Sequence, residues 1–382
     1  MKILFVAEHL AGTDGWSRYS HDVIFAVKEQ GHDVSCFVHS ISPIPIRQMA
    51  VLDRPEKYLA GIFCSAKLAF KIVVEIVRNR PDVVHFLVEP YASALFFMPR
   101  LGVRYVETVH GTYAFIPRLF KKYSWLRAVA NILWRGMFRK IDAIVAVSLY
   151  TRNYLIESVG LSLKERVVER CSVISNGVNI QNLITENRDR HIGRGKPKQI
   201  LFVGAVKKRK GIIEGIEALG LYKKKYRADF IWNIAGSVDR DGLFYKILEQ
   251  KIVECGLESN IRFLGRIDEK EKRRLFLQSD LYLMLPIMDS GAFEGFGLVY
   301  LEANMFGVPV VGSLKSGAEE AIKEGVSGFL VDPYNPLKGM ERIADVLDRG
   351  IIDPGLCRKW AEEHDISRIA DRLISLYAYK QK

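Results

Sequence analysis

The sequence lacks most of the signatures of a specialised chain. Its 382 residues include only five cysteines, Cys36, Cys64, Cys171, Cys255 and Cys357, odd in number, scattered and without a CxxC pair. That spacing offers neither a disulfide framework nor a zinc site, and it suits a reducing cytoplasm. No apolar run reaches the roughly 18 residues of a membrane span. The opening MKILFVAEHL meets Glu8 early and has no small-residue cleavage site, so it reads as a first buried strand and not as a signal peptide. No HExxH, Asp-rich metal cluster, short repeat or low-complexity tract occurs. The GxGxxG fingerprint is missing after the first strand, which argues against a nicotinamide enzyme.

What is present is a globular composition, 49% hydrophobic and 26% charged. The length exceeds one ordinary core, so two domains are expected. The formal charge of +12 favours an anionic partner. Residues 1–190 carry 25 Lys/Arg against 17 Asp/Glu, and the remainder 31 against 27, so the first half is the more basic surface.

Apolar strands without alternation, separated by helices, recur along the chain. KILFVA, DVSCFVHS, DVVHFLV (82–88), RYVETVHG (104–111) and AIVAVS (143–148) form one series. The polar, glycine-containing stretch ENRDRHIGRGKPKQ (186–199) reads as a linker. The pattern then restarts with QILFVG, DFIWNIAG, IRFLG, DLYLMLP and VPVVGS. Strands of this kind predict parallel sheets covered on both faces. The expectation is α/β, two Rossmann-like doubly wound domains facing a cleft, with ligands beyond the strand carboxyl ends. The boundaries are 1–190 for the first domain and 191–363 for the second. The last helix, about 364–382, is expected to pack back on the first domain.

The stretch EGFGLVYLEA places Glu294 just before a helix start and Glu302 about one and a half turns inside it. Gly295 and Gly297 allow close backbone approach. The unsatisfied amides of Phe296, Gly297 and Leu298 suit a phosphate. A cleft-lining carboxylate discriminates hydroxyl-bearing ligands, so an anion between two such groups describes a nucleotide sugar. The plainer reading, a capping Glu294 and a solvated Glu302, stays open on spacing alone.

EGFGLVYLEANMFGVPVV resembles the E-x7-E signature of retaining GT-B glycosyltransferases of the family-4 type. DGWSRYSHDVIFAVKEQGHDV, ETVHGTY (107–113), VISNGVN (173–179), ILFVGAVKKRKG (200–211) and SGAEEAIKEGVSGFLVDP (316–333) fall in that family's order. The resemblance implies transfer of a sugar from a nucleotide diphosphate sugar, UDP- or GDP-linked, to an acceptor hydroxyl, without a metal or other cofactor. It implies that Glu294 binds the donor sugar beside the reacting carbon, that Glu302 holds the ribose, and that Lys210 with Gly295, Phe296, Gly297 and Leu298 holds the diphosphate. His110 would touch the donor sugar or leaving phosphate, the Gly15 backbone would approach the diphosphate or acceptor, and Arg266 and Ile267 would meet the base. Glu294, His110 and Lys210 are thus the expected catalytic set. One departure is Ala205, where the family usually has arginine. Either Lys207, Lys208 or Arg209 compensates, or the diphosphate grip is weaker.

The stretch FIPRLFKKYSWLRAVANILWRGMFRK (115–140) holds seven Lys/Arg and no acid. Basic residues beside exposed aromatics describe an interfacial helix on anionic lipid. The candidate surface is Arg118, Lys121, Lys122, Trp125, Arg127, Trp134, Arg135, Arg139 and Lys140, with 58–80 as an extension. A core helix with solvated cations is the alternative. No nucleic-acid recognition motif is present. The expected setting is cytoplasmic, peripheral on the inner membrane face, with a lipid-linked or surface-glycan acceptor. A nucleotide-sugar 2-epimerase of the same fold and a non-catalytic basic membrane adaptor are the competing functions.

Overall fold

The computed structural model describes residues 1–12, 15–111, 124–180, 197–289 and 291–379. The chain divides into two compact units, Met1–Asn179 with Ile366–Lys382, and Ile180–Asp365. Each unit is built on one sheet whose strands pair in parallel.

The first sheet contains β1 (Lys2–Val6), β2 (Asp33–Val38), β3 (Arg47–Ala50), β4 (Val83–Phe86), β5 (Arg104–Val109), β6 (Ala143–Ala146) and β7 (Cys171–Val173). Their spatial order is β3-β2-β1-β4-β5-β6-β7. Ile3, Leu4, Phe5 and Val6 are all buried, as are all four residues of β4 and of β6. Helices therefore cover both faces, which explains the unbroken apolar runs. The second sheet contains β8 (Lys198–Val203), β9 (Phe230–Ala235), β10 (Ile261–Gly265), β11 (Leu281–Leu283), β12 (Val310–Ser313) and β13 (Gly328–Val331), in the order β10-β9-β8-β11-β12-β13. Both units are doubly wound and Rossmann-like, as expected.

Three strands were not foreseen. β3 (RQMA) is a polar edge strand and β7 (CSV) has only three residues. β13 (GFLV) opens on a glycine directly after a turn. Each is too short for periodicity to declare it. Most of the expected linker lies outside the described residues, and β8 begins at Lys198.

The helix Ile366–Ala378 belongs to the first unit, where it packs against the helix Gly15–Glu29. Its buried residues Ile366, Ile369, Ala370, Leu373 and Tyr377 form one helical face and join the core of Ile3, Phe5, Val23 and Val27. Tyr377 Oη lies 2.6 Å from His85 Nδ1, and His85 Nε2 lies 2.8 Å from Thr108 Oγ1. The end of the chain is thereby tied to β4 and β5.

In each sheet the strand order reverses once, between β1 and β4 in the first and between β8 and β11 in the second. Ligands of open α/β sheets sit outside the strand carboxyl ends at such a reversal. The loops leaving β8 and β11 are therefore where chemistry is expected in the second unit. Those leaving β1 and β4 are its counterpart in the first.

Candidate functional site

In the second unit the two reversal-point loops are joined. The segment after β8 turns through Lys208–Lys210 as a short 3-10 helix and ends at Gly211, whose φ is +68°. A Cβ at Gly211 would lie 1.6 Å from the Leu285 carbonyl oxygen, so only glycine allows the two backbones this close. Ile287 N donates to Arg209 O at 2.9 Å. The β8 loop is thereby fixed to the β11 loop, and its cations are carried to Glu294.

Glu294 sits between Phe293 and Phe296, both buried. The side chain is largely buried, with 14% of it exposed. Lys210 Nζ lies 2.5 Å from Glu294 Oε2, and Arg209 Nη1 lies 3.0 Å from the same oxygen. Burial pulls the Glu294 carboxyl upward, but the Lys210 and Arg209 charges outweigh it and hold the group below its ordinary value. It is a carboxylate clamped by two cations.

The backbone then passes through Gly297 at φ +81° and enters the helix Leu298–Met305. A Cβ at Gly297 would stand 2.6 Å from the Tyr300 ring. Tyr300 Oη donates to Met284 O at 2.7 Å, which ties this helix to the end of β11. Gly317 N donates to Glu294 O at 2.9 Å, adding the loop after β12. The N-cap residue is Gly297, which has no side chain to cap the helix start. Three strand ends thus converge on one helix start that faces a carboxylate and two cations. An anion is favoured there by the helix dipole and by the excess positive charge.

Glu302 lies within the same helix. Its two oxygens are each 3.5 Å from Lys272 Nζ, and Lys272 also pairs with Glu269 at 3.0 Å. Arg266 is exposed and Ile267 half-buried, just past the end of β10 at the sheet edge. The fold thus joins Glu294 and Lys210 directly, and chain continuity adds Gly295, Phe296, Gly297 and Leu298. Sequence reasoning placed Arg209 only among three possible compensating cations and passed over Lys272. Nothing in the local sequence singled it out, because its helix opens EKEKRR and Lys272 is one of four cations there.

His110 and Gly15 belong to the first unit. His110 follows the end of β5, and Gly15 is the first residue of the helix Gly15–Glu29. His110 meets the Tyr19 ring edge-on at 4.8 Å, and the Trp16 ring at 6.4 Å, so the helix start and the strand end are neighbours. Its Nε2 lies 3.1 Å from Leu87 O. A carbonyl can only accept, so Nε2 carries the proton and Nδ1 is the basic nitrogen. Burial pulls the ring down to about 4, against a small opposing effect of the Leu87 contact, and the imidazole is neutral at ordinary pH.

Glu89, unremarked in the sequence, organises this turn. It is fully buried just past β4, and its Oε1 accepts from His110 N at 2.6 Å and Gly111 N at 3.2 Å. Burial pushes its carboxyl up to about 7, against these hydrogen bonds. Its sequence signal was a lone carboxylate inside the apolar stretch 83–98. Glu107, in β5, is also fully buried, and burial followed by the Glu89 charge pushes it well up.

The expected lipid surface needs correction. Arg118, Lys121 and Lys122 lie outside the described residues. On the helix Ser124–Lys140, Trp125, Arg127, Arg135 and Arg139 are exposed. Trp134 is not part of that surface: it is 3% exposed, and Phe138 is buried with it. The helix turns this side toward the 3-10 segment Glu89–Phe97, where Gly136 lies against the Phe96 ring. Lys140 is held inward as well, its ammonium donating to Phe96 O at 2.8 Å and Met98 O at 2.5 Å. A second helix on that segment, Ile62–Asn79, exposes Phe63, Phe70 and Val77 at heptad spacing, Phe63 to 90%. Among the described residues no helix is long and apolar enough to cross a membrane.

Comparison with known proteins agrees with this architecture. The family described as Glycosyltransferase Family 4 matches residues 13–182, and the family Glycosyl transferases group 1 matches residues 184–365. A D-inositol 3-phosphate glycosyltransferase of Paenarthrobacter aurescens is 30% identical over 333 residues, spanning 85% of this chain and 76% of that protein. An uncharacterized glycosyltransferase of Methanocaldococcus jannaschii is 30% identical over 285 residues, 73% of this chain and 70% of its own length. Among solved structures, Anabaena HepE in complex with UDP and glucose has a TM-score of 0.72 at 20% identity, over 98% of both chains. Sequence kinship over both halves and the doubly wound pair of sheets lead to one conclusion: the chain belongs to the glycosyltransferases, of the GT-B, family-4 type.

Proposed function

We propose that this glycosyltransferase moves a sugar from a nucleotide diphosphate sugar to an acceptor hydroxyl, with retention of anomeric configuration and without a metal ion. The observation that carries this reading is the meeting of Lys210 and Arg209 on one oxygen of Glu294, beside a helix start at the strand reversal of the second unit. The helix start and the two cations suit a diphosphate. Glu294 suits the hydroxyls of the sugar that follows it. UDP is the first donor nucleotide to test, because the HepE structure holds it; GDP follows.

In this reading the anomeric carbon's bond to the diphosphate oxygen breaks as its bond to the acceptor oxygen forms on the same face. The acceptor proton passes to the departing diphosphate. Negative charge grows on that diphosphate, and Lys210 stabilises it without reorganising. Glu294 is neutralised by two cations, which suits an orienting group better than a nucleophile. His110, neutral and held through Leu87 and Glu89, offers Nδ1 as an acceptor for a hydroxyl.

The acceptor in this reading is a lipid-linked or surface glycan, met at the inner face of an anionic membrane. Phe63, Phe70 and Val77 on one helix, and Trp125 and Ile132 on another, are exposed among the cations Lys67, Arg78, Arg127, Arg135 and Arg139. Apolar side chains among cations suit an anionic lipid surface.

The test is a transfer assay with UDP- and GDP-sugars, followed by analysis of the product anomer. An inverted product sinks the retaining mechanism. Epimerised donor formed without acceptor would favour the 2-epimerase. Vesicle binding with no nucleotide-dependent thermal shift would favour the adaptor.

A further inference from the structure

Cations also gather at the other end of the first sheet from His110. Arg104 opens β5, and His110 lies about 20 Å further along that strand. Asp142 stands directly before β6 and Arg170 directly before β7, so the three sit side by side where neighbouring strands begin. The helix Ser124–Lys140 ends beside them. Arg166, on the helix Leu161–Arg170, donates through Nε to Phe138 O at 3.1 Å and through Nη2 to Arg139 O. Arg100 donates to the same Arg139 oxygen at 3.2 Å, and Arg170 donates to Ile141 O.

Helix capping explains where these groups point but not how many there are. The carboxyl end of a helix attracts cations, yet it carries only about half a negative charge. Arg100, Arg104, Lys140, Arg166 and Arg170 feel one another's charge, and among the described residues the carboxylates acting on them are Asp142 and Glu169. Asp142 spends one oxygen on Tyr105 N at 2.9 Å, and its other oxygen is 3.9 Å from Arg100. The Nε groups of Arg104 and Arg170 are buried without a hydrogen-bond partner among the described residues. Burial, and then the charges of Arg170 and Arg100, pull the Arg166 guanidinium below its ordinary value. Positive charge is therefore left over, held in a fixed geometry. Arg100 is 62% exposed, and it and Arg166 each commit only part of a five-donor fork to the helix end.

We propose that Arg100 and Arg166 form a binding site for a phosphate group at the amino ends of β5, β6 and β7. Two guanidiniums gathered on one carbonyl oxygen can both turn N–H donors toward a single tetrahedral anion, a strong and geometrically specific pairing. Arg104 and Arg170 add charge without needing to touch the ligand. The bound anion offsets the surplus that Asp142 and the helix end leave. The site is separate from the donor reading, because it lies at the opposite strand ends from His110 and in the other unit from Glu294. Its ligand is a free phosphate or the phosphomonoester headgroup of a lipid, which share this chemistry.

The experiment is arginine modification of the full chain by phenylglyoxal, read by mass spectrometry at Arg100 and Arg166. Arg274 of the second unit, 53% exposed, is the reference. Modification in chloride is compared with modification in inorganic phosphate of equal ionic strength. It is also compared in phosphatidylcholine vesicles carrying phosphatidic acid or phosphatidylglycerol. Phosphate at ten times its dissociation constant should slow Arg100 and Arg166 about tenfold and leave Arg274 unchanged. Stronger protection by phosphatidic acid than by either free phosphate or phosphatidylglycerol assigns the site to a lipid headgroup; protection by free phosphate without that gain assigns it to a soluble anion. No protection by any of the three overturns the proposal. So does equal slowing at Arg274, which is a salt effect, or equal protection by both lipids with free phosphate inert, which is diffuse surface charge. Arg166→Gln, checked by its melting curve, should lose the phosphate protection of Arg100, and full protection in that variant also overturns the site. If the variant does not fold, the wild-type comparison decides.

Discussion

Lys210 and Glu294 are 84 residues apart, yet Lys210 Nζ stands 2.5 Å from Glu294 Oε2. The contact spans the point where the strand order of the second sheet reverses. It gives the site one fixed charge pair before any ligand arrives. A preorganised pair needs little rearrangement when charge develops on a departing phosphate.

Replacing either partner should remove that advantage. Glu294→Ala and Lys210→Ala are each expected to lower sugar transfer by about a hundredfold to a thousandfold. Circular dichroism should show both variants folded. Near-wild-type turnover in both would falsify the site.

The joint between the loops makes a separate prediction. Gly211→Ala places a methyl group against the Leu285 carbonyl and forces an L-residue to φ +68°. The backbone conformation alone costs about 1–3 kcal/mol, and the clash must push the loops apart. A lower melting temperature together with lost nucleotide binding is expected. A variant that melts and binds like wild type would show that the loops are not joined this way.

Glu89 yields a pH prediction. Its carboxyl is pushed up to about 7 in the folded chain, against 4.5 ordinarily. The folded chain therefore binds a proton that the unfolded chain has released between these values. That contribution is fully present below about 4.5 and is lost as pH rises through about 7. The interval corresponds to about 3 kcal/mol. Glu107, the buried carboxyl nearby, is pushed well up by its burial and then by the Glu89 charge. In Glu89→Gln an amide oxygen can still accept from His110 N and Gly111 N. The melting temperature of this variant relative to wild type should rise from about pH 4.5 toward pH 7 and level off above that. A flat difference would mean that Glu89 does not titrate there.

The two tryptophans of the helix Ser124–Lys140 should separate by role. Trp134→Ala removes a buried ring and is expected to cost about 3–5 kcal/mol in denaturant unfolding. Trp125→Ala should leave stability nearly unchanged, because that ring is exposed. Flotation with phosphatidylglycerol vesicles should instead weaken for Trp125→Ala, and more for Phe63→Ser with Phe70→Ser. Added salt should weaken wild-type binding too. If these exposed variants float as wild type does, the lipid-facing surface lies elsewhere.

The sequence by itself determined the architecture and singled out Glu294 and Lys210, which the fold brings together. Runs such as KILFVA and QILFVG carry apolar residues at successive positions, which suits strands buried on both faces of covered parallel sheets. The helix start after Glu294 was legible because glycine spacing and an apolar helix are local properties. Tertiary structure alone decided which cation reaches which anion. Four adjacent basic residues look alike in a row, but a 3-10 turn sends Lys208 toward Asp289 and brings Arg209 and Lys210 onto Glu294. It also decided that Trp134 faces the core while Trp125 faces outward, since helical periodicity gives relative faces and not the direction of the neighbour. Glu89 shows the same limit: its role at His110 depends on two strand ends lying side by side, a distance that no local pattern carries.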